Sequence, residues 1–461
     1  MQKGGKNLLL IWVLINSLLV SSCFLNKKTS YPTPPPADNT KPFPDGMTET
    51  FDSIETGTIK IENNPTNPIG ENNTPIEEIK RTQYDIALLL PFDVKTNSLN
   101  TNNDTINLKS LLAIDFYEGA LLALAELQKE GLDLNVYVYD TEKNPKRVQE
   151  ILRQPHLQNV DLMIGPVYNQ PLKLASNFSK RFKILQASPF SPTTSFINEN
   201  PFYLQMQPTM DVHCAFIYKY LNSVPDYNNV ILLHQPRNNE QKMADKFKRL
   251  ERESIFDGSI ETGDLGPMTL REMIFVGGDE GSRGQRTEND LFLEYLLPDR
   301  PNVFVVTSFS ESFANDMLRR LYAYSEKYEI IVIGMPNWDR FTNINVDYLM
   351  DLSVQYSRNY FYNKTDEKAA GVARNYRMKT NAPMPENASR GYDMVYYLGQ
   401  LMQEQEDDQV FPYISNDDFE GTFSGFNFQP YYDDSTRTLH YFENQHLYML
   451  KYEDYGLIRV Y

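Results

Sequence analysis

Cysteine is nearly missing from this chain: there are two in 461 residues, Cys23 and Cys214. A network of disulfides is excluded, so stability must come from a packed core. Cys214 falls in a helical pattern, Val212 to Leu221, and reads as a small buried apolar residue rather than a reactive thiol. Histidine is scarce too. The five (His156, His213, His234, His440 and His446) show no metal-ligand spacing, so no metal site is expected. There is no G-x-S-x-G elbow and no cofactor motif, and nothing supports catalysis. The glycine-rich stretch Gly277 to Gly284 lacks the lysine of a phosphate loop and carries acids where phosphate would sit. It reads as a surface loop. Positive charge is in deficit, 44 Lys and Arg against 61 Asp and Glu, for a net charge of −17. Such a surface repels nucleic acid and anionic lipid, and acidic runs such as Glu404 to Asp408 read as solvated charge.

The longest apolar run, Leu8 to Val20, is too short for a stable span of about 20 residues. It follows Lys3 and Lys6 and ends in Val20-Ser21-Ser22-Cys23. A basic start, a short apolar core and small residues before the end make a secretory signal. The cysteine after the small residues resembles a bacterial lipobox. That resemblance implies cleavage before Cys23 and lipid on its thiol and new amino group; an ordinary signal peptide with a chance cysteine is the alternative. Phe24 follows, not the aspartate that retains lipoproteins at the inner membrane, and no acidic export tract is present. The expected site is the periplasmic face of the outer membrane, with residues 1–22 removed and the lipid as the membrane partner.

Phe24 to Thr82 is rich in Pro, Thr and Asn, including Pro34-Pro35-Pro36, and has no apolar periodicity. Such a segment cannot bury enough surface to offset ordering entropy. Residues 23–82 therefore read as a lipid-anchored tether, reaching about 45 Å on average and on the order of 200 Å when stretched.

From Tyr84 the texture changes. Ile86 to Leu90 is a continuous apolar run, as in a strand buried on both faces. A polar loop is expected from Asp93 to Asn107, then a helix to Lys129 closed by Gly131. Strands at Leu134–Tyr139, Val160–Ile164 and Lys183–Ala187 alternate with helices at Pro145–Arg153 and Leu172–Lys180. After Pro225 the alternation repeats, from Val230 to Gly334. The pattern predicts an α/β fold of two doubly wound lobes. The expected division is a first lobe at 83–223, a second at 224–338, and a return to the first at 339–422. Phe423 to Tyr461 is rich in aromatic residues and reads as a small antiparallel β addition, which completes the second lobe or offers a partner surface.

Ile86 to Pro91, Phe116-Tyr117-Glu118-Gly119-Ala120, Ile164-Gly165-Pro166, Ala187-Ser188-Pro189, Phe202 to Asp211 and Ala388-Ser389-Arg390-Gly391-Tyr392-Asp393 stand in an order that resembles the type I periplasmic binding proteins, the leucine/isoleucine/valine-receptor group. Val138 to Thr141 and Gly165-Pro166-Val167 are similar to the lipoprotein activators of peptidoglycan synthases, in which the same fold binds proteins. The serines that hold an amino-acid carboxylate in the receptors are missing from Gly165 to Asn169. The hydroxyl-rich turn of the receptors is kept at Ser188 to Thr194.

Ligands in doubly wound sheets bind beyond the strands' carboxyl ends. That places Tyr168, Asn169, Ser188, Ser191, Thr193 and Thr194 as candidate ligand contacts, with Trp338 from the second lobe. Serine and proline are also ordinary turn residues, and Trp338 is equally a core residue. Two functions stay open. One is a non-catalytic adaptor for envelope proteins, those that build peptidoglycan being one candidate. The other is a receptor for an amino-acid-like or other small polar solute. Neither needs a cofactor or nucleic acid.

Overall fold

The computed structural model of the chain describes residues 83–99, 106–197, 199–257, 268–276, 288–404, 414, 418–433 and 436–461. Cys23, the tether and Gly277 to Gly284 lie outside the described residues.

In the first of two sheets, β1 (Gln83–Leu90), β2 (Asp133–Asp140), β3 (Leu162–Ile164), β4 (Leu185–Ser188) and β5 (Tyr203–Gln205) run parallel in the order β2-β1-β3-β4-β5. The helices between them are α1 (Val94–Leu99), α2 (Leu108–Lys129), α3 (Pro145–Ile151) and α4 (Asn169–Phe182). The run Ile86 to Leu90 is apolar throughout because both faces are covered. Ile86, Leu88 and Leu90 pack with Phe116 and Leu127 of α2, while Ala87 and Leu89 pack with Val148 and Ile151 of α3.

The second sheet repeats the order. β6 (Asn229–His234), β7 (Thr269–Ile274), β8 (Asn302–Val306), β9 (Ile330–Gly334) and β10 (Gln355–Arg358) run parallel as β7-β6-β8-β9-β10. Its helices are α5 (Met210–Ser223), α6 (Asn238–Asp257), α7 (Glu288–Leu293), α8 (Glu311–Tyr322) and α9 (Val346–Asp351). Two doubly wound lobes are therefore present. Helices α10 (Glu367–Thr380) and α11 (Glu386–Glu404) follow β10 and pack on the first lobe's core through Tyr376, Ala388 and Tyr392.

The C-terminal strands are divided between the lobes. β11 (Asp418–Glu420), β12 (Gly425–Tyr432) and β13 (Leu439–Asn444) extend the first sheet, with β13 parallel to β5. β14 (Tyr448–Glu453) and β15 (Gly456–Arg459) extend the second, with β14 antiparallel to β10. The chain thus crosses between lobes three times, at 206–209, 359–366 and 445–447.

Helices α2 and α11 touch backbone to backbone. A Cβ on Gly119 would lie 1.8 Å from the Ala388 carbonyl oxygen, and one on Gly391 would lie 2.1 Å from that of Phe116. Hydroxyl–carboxylate bonds flank the crossing: Tyr392 donates to Glu126 (2.6 Å) and Tyr396 to Glu130 (2.8 Å). Asp393 then accepts the N–H groups of Thr422, Phe423 and Ser424, fixing the turn before β12 to the same helix.

The stretch expected as one polar loop after β1 contains α1. Its first N–H groups, on Asp93 and Val94, donate to the Asp140 carboxylate at 3.0 and 2.9 Å. A cap from the end of another strand replaces the local N-cap that a sequence pattern needs.

Cys214 is buried in the second lobe's core, and burial pushes its thiol up to about 12. Neighbouring His213 is pushed down to about 3 by burial, with Nδ1 2.8 Å from Ser357 Oγ. In the unfolded chain it takes up a proton near its ordinary value of 6.5, so stability falls as pH drops from there toward the folded value. A single such group contributes about 1.4 kcal/mol per pH unit. Asp393 and Asp115, pushed up to about 7 and about 6 chiefly by burial, act in the opposite direction. Both remain in a His213→Asn variant and cancel in the difference. The stability gap between wild type and variant should therefore shift against the wild type by about 2 kcal/mol between pH 6.5 and 5, read by urea unfolding. A gap that is flat with pH would refute a neutral buried imidazole.

Candidate binding site

The order β2-β1-β3 places the topological switch between β1 and β3, so the loops after these strands open a crevice. Gly165 turns there with φ +94°, and a Cβ on it would lie 2.3 Å from the Leu89 carbonyl oxygen. Only glycine fits that turn. Gln186 Nε2 donates to the Gly165 carbonyl at 2.9 Å and holds the loop to β4.

Beyond these strand ends lies a hollow of about 530 Å³. Tyr168, Asn169, Ser191 and Thr193 line it, with Lys143 and Phe190. Four of the expected contacts are thus brought together, and Tyr168 is exposed to solvent. The Ser191 hydroxyl, however, is engaged within the turn. Ser191 Oγ is 3.4 Å from Asn169 Oδ1 and accepts the Thr193 N–H at 3.3 Å. The Ser191 carbonyl accepts from Gln205 Nε2. Lys143 Nζ is bound by Asp93 at 2.6 Å. No carboxylate lines the hollow among the described residues, so a ligand ammonium finds no counter-charge there.

Ser188, Thr194 and Trp338 stand outside the lining. Ser188 is fully buried at the end of β4, opposite Gln205. Thr194 accepts from the Tyr441 hydroxyl at 3.3 Å, joining the turn to β13. Trp338 is buried in the second lobe, donates to the Ser308 carbonyl at 2.9 Å and presses on Gly334. Every residue of the lining comes from the first lobe.

A second constellation, unforeseen from the sequence, sits where the chain crosses between lobes. Glu386, at the start of α11, accepts from Arg358 Nη2 at 2.7 Å and from Arg390 Nε at 2.9 Å. Arg358 also reaches Asp339 of the second lobe at 3.0 Å. Arg390 donates to Gln207 (3.1 Å) and Asn359 (3.0 Å), and Asn359 donates to Gln207 at 2.9 Å. Both guanidiniums lie over the Tyr360 ring, at 5.3 and 5.4 Å. Burial pushes the Asp339 carboxyl up while Arg358 and Arg340 pull it down, and the net shift is upward. Burial also pushes on Glu386, but Arg390 and Arg358 outweigh it and hold that carboxyl below its ordinary range. In the sequence Arg390 stands out only as part of the receptor-like segment Ala388 to Asp393. Nothing local marks Glu386 and Arg358 as a pair, since 28 residues separate them.

Residues 117–255 match the receptor family ligand-binding region. An ABC transporter substrate-binding protein from Desulfitobacterium hafniense, in complex with Leu, superposes with a TM-score of 0.50 at 14% identity, covering 82% of this chain and 100% of that one. A branched-chain amino acid ABC transporter periplasmic ligand-binding protein from Burkholderia xenovorans gives 0.52 at 11% identity, covering 82% and 95%.

The chain has the type I periplasmic-binding-protein fold.

Full-length LpoA from Haemophilus influenzae shares the fold, with a TM-score of 0.52 at 13% identity over 84% of this chain and 60% of that one. No curated protein matches the chain in sequence. Solute receptors and LpoA thus stand side by side on this fold, which is a binding scaffold.

Proposed function

We propose that this periplasmic-binding-protein-like chain is a lipoprotein held through Cys23 at the periplasmic face of the outer membrane, where it acts as a non-catalytic adaptor for envelope proteins. Proteins that build peptidoglycan are one candidate partner. The supporting observation is the hollow: its lining comes from one lobe, its Ser191 hydroxyl serves the turn, and its lysine is already paired. A receptor that closes over a charged solute needs free groups from both sides. The proline-rich segment supports the same reading, because reach through the periplasm serves a protein that docks on others.

A solute receptor is the second reading. It is favoured by the hollow's volume, which falls in the range of small-molecule sites. A thermal-shift screen of the mature chain against amino acids, sugars and muropeptides separates the two. A solute at 100 times its Kd stabilises by about 2.7 kcal/mol, and Ser191→Ala with Thr193→Ala, both on the lining, would abolish that shift. The adaptor predicts no shift, unchanged partners for the double variant, and impaired function when residues 24–82 are cut to about ten. Normal function with so short a tether would count against it.

A further inference from the structure

The chain is strongly acidic, yet one helix of the first lobe, α10, carries a run of cations. Between Lys364 and Lys379 stand five cations, Lys364, Lys368, Arg374, Arg377 and Lys379, against Asp366 and Glu367, while the whole chain is at −17. All five cations are exposed, on α10 and the turn before it. Beside them, between α2 and α10 and away from the strand-end hollow, lies a second hollow of about 310 Å³. Its floor is apolar: Leu122, Val372 and Tyr392 are buried. Its rim is Lys129, Met378 and Lys379, and Met378 is 77% exposed. The one acid of the lining, Glu126, is bound by the Tyr392 hydroxyl.

The volume is at the lower limit of small-molecule sites, and its apolar floor admits one large side chain, as the anchor pocket of a protein interface does. The cations extend along a helix about 20 Å long, which matches an extended acidic chain better than one small anion. Charge complementarity at a rim gives specificity and speed of encounter. We propose that the hollow and the cationic face of α10 form the docking surface for an acidic segment of an envelope protein. The segment seats one apolar side chain between α2 and α10 and lays its carboxylates on Lys129, Arg374 and Lys379. This rests on the adaptor reading for the partner's being a protein.

The test places a photocrosslinking residue in the full chain, in its native envelope, at Met378, at Tyr168 beside the strand-end hollow, or at Tyr455 on the second lobe. Crosslinked segments are mapped by mass spectrometry. The expected result is an adduct at position 378 whose partner segment has an apolar residue flanked by Asp or Glu. Its yield should drop roughly tenfold with Lys129→Glu and Lys379→Glu together, the scale of two exposed ion pairs. It should vanish with Asn375→Trp, which fills the hollow from an exposed position of α10 and leaves the core intact. An adduct at 378 that ignores both variants, or that maps to a segment without acids, would overturn the docking surface. Adducts at 168 or 455 alone would overturn it while leaving the adaptor standing. Silence at all three positions, with a solute hit in the thermal screen, would overturn both.

Discussion

Gly119→Ala should cost the protein at least about 3 kcal/mol, although alanine is the better helix former by about 1 kcal/mol. The methyl group would lie 1.8 Å from the Ala388 carbonyl oxygen. That oxygen belongs to the backbone of α11 and cannot turn away as a side chain would. The helices must separate by on the order of 1 Å, and the packing and Tyr–Glu bonds along the crossing loosen together. Gly391→Ala should behave alike, from the opposite side of the same contact. The double variant should cost less than the sum, because helices already parted by one methyl have room for the other. Urea unfolding of the three variants measures this. An alanine variant as stable as wild type would mean that the helices do not cross at these glycines.

Glu386→Ala should cost about 2–3 kcal/mol, below the range for a fully buried pair broken from one side, because Glu386 is itself 37% exposed while both arginines are largely buried. The loss leaves two guanidiniums facing each other, with side chains only 12% and 13% exposed. Asp339 remains for Arg358, but Arg390 keeps only the neutral acceptors Gln207 and Asn359. Asp316→Ala provides the contrast. Asp316 pairs with Arg319 and Arg320 on the outer turn of α8, at 2.7 and 2.9 Å, and such surface pairs are worth about 1 kcal/mol or less. Equal losses in the two variants would show that the crossing between lobes is wet and the cluster weak.

Much of the architecture was legible because it is written in local periodicity. Apolar runs such as Ile86 to Leu90 and Val230 to Leu233 declare strands covered on both faces, and their alternation with helical spacing declares two doubly wound lobes. The short segments that resembled the receptors prove to be contact points. Phe116 to Ala120 and Ala388 to Asp393 are the two sides of one helix crossing: Gly119 and Gly391 set the approach, Arg390 joins the inter-lobe cluster and Asp393 fixes the turn before β12. The strand-end turns also fell where expected, and four of the candidate contacts meet at one hollow. Whether a hydroxyl there is free for a ligand was not legible, because Ser191 and Thr194 are engaged by Asn169 and Tyr441, the latter 247 residues from Thr194.

By itself, then, the sequence determined the class of fold, the doubling of its lobes and the ends of the strands where a site would lie, since each follows from spacing within about twenty residues. Tertiary structure decided the rest. It sent β13 to the first sheet and β14 to the second, capped α1 with the carboxylate of Asp140, and gathered Glu386, Arg358, Asp339 and Arg390 where the chain crosses between lobes. A charge or a carbonyl carries no mark of its partner along the chain. Pairing is settled only when burial removes water and leaves each polar group to find another.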